Sequence, residues 1–318
     1  MREPPPGSAI LAPMAACVGI IGTGWVGTSV AFSTLMRGVA REVWLHDPRG
    51  AVAEGEAMDF SDGAAFYPHC PVRAVTLEQM LKADIVVIAA GRNGRPDESR
   101  LDLLRDNARI AAGIGRALQG FGGIVIVVTN PVDVLTRVIT AASGLPPERV
   151  IGTGTLLDTT RLRERLAARL TLAPQSIHAQ VVGEHGDSSV VLWSGAQVGG
   201  VALRHWPGWQ ADEEAALAQS MRRAAYEVIQ RKGATNHAIG LVTAELIGCL
   251  LRDERRLLPV SRVQTGACGL QGVALSLPAL LGAGGALEVI EPAMDAAEQA
   301  ALAASAAVLK RAFESLAG

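Results

Sequence analysis

The chain has 318 residues, with 29 Lys and Arg against 31 Asp and Glu, so its formal net charge at pH 7 is −2. Hydrophobic residues make up 49% and charged residues 19%, which is typical of a globular protein of about two domains and excludes a coiled coil, a collagen and a disordered chain. This near-neutral balance gives no electrostatic reason to expect nucleic acid or an anionic membrane as a partner.

The N-terminal segment does not have the pattern of an export signal. Arg2 is balanced by Glu3, and Pro13 interrupts the apolar run that precedes Cys17. We expect the first ~15 residues to form a disordered tail, and no other span reaches the ~20 apolar residues of a membrane helix.

The four cysteines are widely spaced and contain no C-x-x-C pair, so neither a zinc site nor a thioredoxin motif is expected. They are Cys17, Cys70, Cys249 and Cys268. We expect free thiols, no metal and a cytoplasmic, reducing location.

Short apolar strands alternate with longer helical patterns in the first half, which predicts βαβ units and a parallel sheet. The predicted strands are 16–21, 43–46, 84–90 and 124–128, and the predicted helices are 24–38 and 101–119. Residues 91–100, GRNGRPDESR, follow a buried strand and predict a mobile loop at the edge of the sheet where ligands of such folds bind.

The pattern changes after about residue 150, where we place a domain boundary without a flexible linker. A helix is predicted at 155–170, a strand at 178–182, long helices at 211–231 and 235–252, a β-rich stretch at 258–290 and a last helix at 292–315. Residues 1–150 and 151–318 are therefore predicted to pack tightly around a shared cleft.

Residues 22–27, GTGWVG, place a G-x-G-x-x-G motif between a predicted strand and a predicted helix. The glycines permit a tight turn and the close approach of a pyrophosphate to the helix N-terminus. Asp47 stands 25 residues after Gly22, at the end of the second strand. A carboxylate there can bind a ribose hydroxyl and repel a 2′-phosphate, so this pair predicts a site for NAD rather than NADP.

A second set of residues suggests acid–base chemistry. His185 lies in the glycine-flanked loop GEHGDS, and Asp158 and Arg161 lie three residues apart on one predicted helix and so share a face. One of the pair can orient a histidine while the other receives a substrate carboxylate. Asn130, in VTNPVD, follows a buried strand, where its amide can meet a ligand.

With GEHGDS, VTNPVD, the LDTTR helix and ESRLDLLRDN, the sequence resembles the NAD-dependent L-lactate and malate dehydrogenase family from about residue 16 to 316. The resemblance implies a Rossmann-type doubly wound parallel sheet domain, followed by an α+β catalytic domain. It also implies a homotetramer or homodimer, a small 2-keto or 2-hydroxy acid substrate and a role in glycolysis and fermentation. The implied NAD-binding positions are Gly22, Gly24, Val26, Gly27, Asp47, Gly91, Thr129 and Asn130.

By matching motif positions, the resemblance makes His185 the proton donor and acceptor, Asp158 its orienting carboxylate and Arg100 the arginine that polarises the carbonyl. The implied substrate-binding residues are Arg161, Asn130 and Thr235. The chemistry of the side chains agrees with these roles. Asp158 should raise the pKa of His185, and the planar fork of an arginine matches a carboxylate with two parallel hydrogen bonds.

The family reads the substrate side chain with a residue six positions before the loop arginine, where lactate enzymes typically have Gln and malate enzymes Arg. This chain has Gly94 there, with Arg95 beside it. A shift of one residue could let Arg95 pair with a second carboxylate, as in oxaloacetate. GEHGDS, the following WSG and Thr235 favour pyruvate, and the room left by Gly94 leaves longer 2-keto acids open.

Arg163 and His178 match positions that bind the activator fructose bisphosphate in bacterial lactate dehydrogenases. Arg163 lies about 200° from Arg161 around the helix, so it points away from the substrate and could serve a second anion site. The sequence therefore predicts an L-lactate dehydrogenase. A malate or broader L-2-hydroxy acid dehydrogenase and a non-catalytic NAD-binding sensor remain alternatives, and retention of His185, Asp158, Arg161 and Arg100 argues against the sensor.

Overall fold

The computed structural model describes residues 16–94 and 98–316. The segment expected to be an N-terminal tail and Arg95 lie outside these residues, as does the side chain of Arg100.

The first half alternates strands and helices, and the strands and helices predicted there are confirmed to within two residues at each end. Helix α3 begins at Arg100. The sequence pattern had placed this residue at the end of the loop 91–100, one position before the helix. The elements are β1 Cys17–Ile21, α1 Trp25–Arg37, β2 Glu42–His46, α2 Gly50–Asp62, β3 Val72–Ala74, β4 Ile85–Ile88, α3 Arg100–Ala117, β5 Ile124–Val127, α4 Val132–Ser143 and β6 Val150–Gly152.

As far as residue 316, where the described part ends, the second half contains four α-helices, several two-residue strands and three longer strands. They are α5 Leu156–Leu170, β7 Ile177–His178, β8 Val181–Val182, β9 Val190–Val191, β10 Gln197–Val198, β11 Val201–Ala202, α6 Glu213–Lys232, α7 His237–Leu251, β12 Arg256–Thr265, β13 Gln271–Gly282, β14 Gly285–Val289 and α8 Ala296–Glu314.

Two expectations for this half were wrong. The strand expected at 178–182 is two strands in different sheets, because β7 pairs with β10 while β8 pairs with β9. The last helix begins at Ala296, not at 292. The Asp295 side chain accepts the Glu298 N–H, and the Glu298 side chain accepts the Asp295 N–H, which forms a capping box that fixes the start of α8.

A single nine-stranded sheet extends through both halves in the order β14-β13-β12-β6-β5-β4-β1-β2-β3. Strands β1 to β6 are parallel to one another, and β12 joins antiparallel to β6 where Ser261 pairs with Gly152. The strand order reverses between β1 and β4, so the carboxyl ends of these two strands border the crevice where ligands of doubly wound folds bind.

Both faces of the parallel part are covered, as the continuous apolar sequences of its strands require. Helix α1 packs beside α7 on one face, and α3 packs beside α4 on the other. Cys17, Cys70 and Cys249 are free and buried, while Cys268 is a half-buried free thiol. Within residues 16–94 and 98–316, no helix is long and apolar enough to cross a bilayer.

Candidate active site

The glycine motif forms the turn between β1 and α1. Gly22 has a φ of +96°, and a Cβ there would lie 2.5 Å from the Ala90 N atom; a Cβ on Gly27 would lie 1.8 Å from the Gly22 carbonyl oxygen. Both positions therefore require glycine because the backbone passes too close for a side chain. Gly24 differs, since a Cβ there would meet nothing within 4 Å.

Open space at Gly24 lies directly in front of a helix N-terminus. Gly24 is the N-cap of α1, no side chain caps this helix and its first turn contains no acidic residue. The first N–H groups of a helix and its dipole favour an anion at this position. This turn, with Val26 half-buried in the first helical turn, fits the pyrophosphate of a dinucleotide.

Asp47 follows β2 and lies beside this turn, 7% exposed. Its Oδ2 accepts the Thr23 N–H at 3.1 Å and the Thr23 hydroxyl at 3.3 Å, and its Oδ1 accepts the Arg49 N–H and Nε–H, both at 3.0 Å. Burial opposes ionisation, but the bonds from Arg49 and Thr23 outweigh it and hold the pKa of Asp47 below its ordinary value. A ribose diol could take the place of the exposed Arg49 side chain as a donor to this carboxylate.

The ends of β4 and β5 supply the next part of the crevice. Thr129 donates its hydroxyl to the Ala90 carbonyl at 2.8 Å, and a Cβ on Gly91 would lie 2.5 Å from the Thr129 methyl group. Glycine at 91 therefore lets the two strand ends meet. The exposed Asn130 follows at once, and its side-chain oxygen accepts the Val132 N–H at 3.3 Å before α4 begins. The structure thus brings Gly91, Thr129 and Asn130 to the same sheet edge as the glycine turn.

His185 lies in the loop between β8 and β9. Gly183 joins this loop to β13 through reciprocal backbone hydrogen bonds with Ser276 of 2.8 and 3.0 Å. Ser305 of α8 accepts the Glu184 N–H at 2.8 Å, and Asp133 of α4 accepts the His185 N–H at 2.7 Å. Three separate elements therefore fix the backbone on which the histidine stands.

The His185 side chain meets the pair predicted on α5. Its Nδ1 lies 2.5 Å from Asp158 Oδ2, and Arg161 Nη1 donates to Asp158 Oδ1 at 3.0 Å. Because an ionised carboxylate only accepts, Nδ1 carries the proton of this bond and Nε2 is left to face a substrate. The side chain of Asp158 is 8% exposed, that of Arg161 15% and that of His185 22%. The cluster is therefore largely shielded from solvent, while the His185 ring is still accessible to a small ligand.

Charge coupling within the cluster outweighs its burial. Burial alone would lower the pKa of His185, but the negative charges of Asp158 and Asp133 raise it above its ordinary value. Burial alone would raise the pKa of Asp158, but His185 and Arg161 hold it below its ordinary value. Asp158 also lies in the first turn of α5, where the helix dipole favours a carboxylate. The cluster therefore favours the protonated imidazole more than water does.

Sequence reasoning missed Asp133 and Ser305 as supports of the histidine loop. The sequence did offer a signal for Asp133: it is an acidic residue in the first turn of a helix that follows a buried strand, which is a position close to the ligand-binding edge of the sheet. Ser305 had none, since it is one small polar residue in an alanine-rich helix.

The loop before α3 is joined to that helix by Arg92. Its guanidinium donates to Glu98 Oε2 at 2.6 Å and, through Nε, to Asp106 Oδ2 at 2.9 Å. Ser99 caps α3 by accepting the Asp102 N–H at 3.1 Å. These contacts fix the backbone at Arg100. Gly94 is exposed, and among the residues that the structure describes a Cβ there would meet Leu103 alone, at 3.2 Å.

Thr235 lies in the short segment between α6 and α7. Its neighbour Asn236 donates to the Ser29 hydroxyl of α1 at 2.9 Å, which holds this segment against the glycine-turn helix. Among the residues that the structure describes, Thr235 makes no hydrogen bond to the histidine cluster.

Arg163 and His178 lie outside the histidine cluster and share a separate cavity of about 630 Å³. Arg163 donates to the Ala179 carbonyl at 3.0 Å. Burial and the facing charge of Arg256 lower the pKa of Arg163. Two cations thus face one cavity, which Gln180 and Gln197 also line.

Residues 16–152 match the family model described as lactate/malate dehydrogenase, NAD binding domain, and residues 155–317 match its alpha/beta C-terminal domain. The chain is 42% identical over 306 residues to L-lactate dehydrogenase 2 of Enterococcus faecalis, covering 94% of this chain and 96% of that protein. It is also 42% identical over 306 residues to the L-lactate dehydrogenase of Thermus aquaticus, covering 94% and 99%. The solved structure of the minor L-lactate dehydrogenase from Enterococcus mundtii is similar, with a TM-score of 0.92, 38% identity and coverage of 95% of this chain and 98% of that one.

Proposed function

The chain belongs to the lactate/malate dehydrogenase family, and from this membership we propose that it is an L-lactate dehydrogenase that interconverts pyruvate and L-lactate with NAD. One observation carries the proposal: the buried cluster in which Asp158 bridges His185 and Arg161. A protein that only binds a dinucleotide has no need of a proton donor beside a carboxylate-binding arginine.

The cluster supplies what reduction of a 2-keto acid asks of the protein. Arg161 donates one N–H to Asp158. Its other guanidinium N–H groups make no hydrogen bond within the described part of the chain, so they can bind the substrate carboxylate. His185, with Nδ1 bound to Asp158, presents Nε2–H to the carbonyl oxygen and donates its proton as the alcohol forms. Asn130 and Arg100 are proposed to hydrogen-bond and polarise that oxygen.

The glycine turn, Asp47 and the strand ends at Gly91 and Thr129 would hold NAD, with Asn130 at the reacting end. When bound, the reduced cofactor supplies the hydride that adds to the carbonyl carbon. The protein's own part is to orient the keto acid, exclude water and deliver the proton.

The test is reduction of pyruvate and, separately, of oxaloacetate by the purified protein with NADH, comparing kcat/KM. We expect a preference for pyruvate, since Gly94 offers no charge to a second carboxylate. A preference for oxaloacetate would contradict the proposal in favour of a malate dehydrogenase that uses Arg95. Turnover of only longer 2-keto acids would indicate a broader L-2-hydroxy acid dehydrogenase. If no 2-keto acid is reduced, the alternative of a non-catalytic NAD-binding sensor would be favoured.

Gly24 and Gly27 provide a matched pair that separates cofactor binding from folding. We expect Gly24→Val to keep the melting temperature within about 3 °C and to weaken NADH binding at least tenfold, because the new side chain points into open space in front of α1. Gly27→Ala should instead lower the melting temperature, since its Cβ would overlap the Gly22 carbonyl. Thermal unfolding and a fluorescence titration with NADH measure both; unchanged NADH affinity in Gly24→Val would contradict the assignment.

We also propose that the cavity at Arg163 and His178 binds fructose bisphosphate as an activator. Arg163 and Arg256 both line this cavity, and Arg256 also pairs with Glu245 and Glu254. A ligand with two phosphate groups could hydrogen-bond to both guanidinium groups. Titrating the activator at limiting pyruvate should lower the half-saturating pyruvate concentration.

Replacing Arg163 with glutamine should abolish that response without changing the maximal rate. Arg165→Gln is the control, because this arginine of the same helix donates to Ser220. A half-saturation that the activator leaves unchanged in the wild-type protein would remove the idea.

We further propose a homotetramer in the cytoplasm, where it reoxidises NADH in glycolysis and fermentation, with residues 1–150 as its NAD-binding part and 151–318 as its catalytic part. Large apolar side chains exposed on α1, α2 and α7 support self-association, namely Phe32, Met36, Met58 and Leu241. Analytical ultracentrifugation distinguishes a tetramer from a dimer, and a monomer would contradict the proposal.

A further inference from the structure

Asp133 connects the two loops that carry Asn130 and His185. It lies in the first turn of α4, three residues after Asn130, and its Oδ2 accepts the His185 N–H at 2.7 Å. These two positions are 52 residues apart in sequence. Of the three supports of the histidine loop, the Asp133 side chain is the one that ties the His185 backbone directly to the helix that follows the Asn130 turn.

The carboxyl is isolated from solvent and incompletely paired. Asp133 is 2% exposed, and Ser261 of β12 approaches it from the other side. Within the described residues, neither Asp133 Oδ1 nor the Ser261 hydroxyl has a hydrogen-bond partner of acceptable geometry. A buried carboxyl is costly unless its oxygens are hydrogen-bonded, and the bond that Asp133 Oδ2 does make goes to the backbone of His185.

The charge of Asp133 also acts on the imidazole. Charged groups facing His185 come from α5, as Asp158 and Arg161, and from α4, as Asp133, while Glu184 of the histidine's own loop faces Asp133. Burial raises the pKa of Asp133 to about 6, so the group is mostly ionised at pH 7. Its negative charge then adds to that of Asp158 in favouring the protonated imidazole.

We propose that Asp133 is a positioning residue for the reaction: it fixes the backbone of His185 relative to the Asn130 turn and places a second negative charge behind the imidazole. The proposal rests on the function proposed above, since it takes His185 as the proton donor. It differs from the role of Asp158, which contacts the ring itself.

Two variants separate the two effects. Asp133→Asn keeps an oxygen that can accept the His185 N–H but removes the charge, whereas Asp133→Ala removes both. We expect kcat of Asp133→Ala to fall at least tenfold with the KM for NADH within about twofold, because displacement of a catalytic group by about 1 Å lowers rates strongly. We expect Asp133→Asn to keep kcat within about threefold at its own pH optimum.

Nuclear magnetic resonance of the histidine rings gives a readout that does not depend on activity. In the protein without ligand, the His185 signal, assigned with His185→Gln, should titrate at a lower pH in Asp133→Asn than in the wild type. The titration of His185 in Asp133→Asn tests the proposal even when Asp133→Ala fails to fold. It also holds if the wild type turns over no keto acid, an outcome that would overturn the proposed function alone.

Asp84→Ala is the control, since Asp84 Oδ2 accepts the Cys17 N–H at the same 2.7 Å at the opposite end of β1 from the glycine turn. This variant should lose thermal stability while keeping kcat and the titration of His185. Either an unchanged His185 titration in Asp133→Asn or a kcat of Asp133→Ala within twofold of wild type overturns the proposal.

Discussion

Replacing His185 with glutamine is expected to lower kcat for pyruvate reduction by about 10³-fold, because the reaction loses its proton donor. The glutamine amide can still hydrogen-bond to Asp158, so the site keeps its shape, but the amide cannot release a proton near neutral pH. Affinity for NADH should stay within about twofold, since the cofactor residues lie on the glycine turn and the strand ends. Steady-state kinetics and a fluorescence titration measure the two quantities.

The role of His185 as proton donor also predicts how kcat/KM changes with pH in each direction of the reaction. Asp158 and Asp133 raise the pKa of His185 despite its burial, so the imidazolium persists above the ordinary titration range. In pyruvate reduction the imidazolium is the active form, and kcat/KM should fall as the pH rises through this pKa. In lactate oxidation the neutral ring is active, and kcat/KM should fall as the pH drops through it. His185→Gln should lose both dependences.

His205→Gln is the matched control, because His205 is exposed and ends the short 3₁₀ helix Leu203–His205. It should retain the wild-type rate and pH profile. A His185→Gln enzyme that keeps kcat within tenfold of wild type, with its pH profile intact, would assign the proton donor elsewhere.

Much of the fold could be predicted because its decisive signals are local. Helices such as α5 show regular apolar spacing, and buried parallel strands such as β4 and β5 are continuous β-branched runs. The turn at Gly22 and Gly27 was predictable for a stricter reason, since only glycine fits where the backbone lies that close. Asp158 and Arg161 were predictable as a pair because helix geometry alone puts them on one face.

What the sequence did not reveal depends on contacts distant along the chain. The three-residue strand β6 has no periodicity of its own and forms because β5 and β12 lie on either side of it. Helix α2 buries only Ala53 and Ala57, which is too weak an apolar stripe to predict a helix. The two side chains that support the histidine loop are distant in sequence from their partners: Asp133 is 52 residues from His185, and Ser305 is 121 residues from Glu184. No local pattern encodes such distances.

Arg161 carries the second large effect, which falls on substrate binding. We expect Arg161→Gln to lower kcat/KM for pyruvate by about 10³-fold, or about 4 kcal/mol, the loss of two charged hydrogen bonds to the substrate carboxylate. Asp158 would also lose the partner of its Oδ1. Because the carboxylate is bound in both ground and transition states, much of the loss should appear as a higher KM.

Arg161→Lys distinguishes charge from geometry. Lysine keeps the positive charge but lacks the planar fork, so we expect a loss of about 10²-fold, between the glutamine variant and the wild type. Arg169→Gln is the control on the same helix, since Arg169 pairs with Glu213 at the protein surface and should leave the KM for pyruvate unchanged. If Arg161→Gln keeps that KM within threefold, another cation holds the carboxylate, and Arg161 serves only to balance the charge of Asp158.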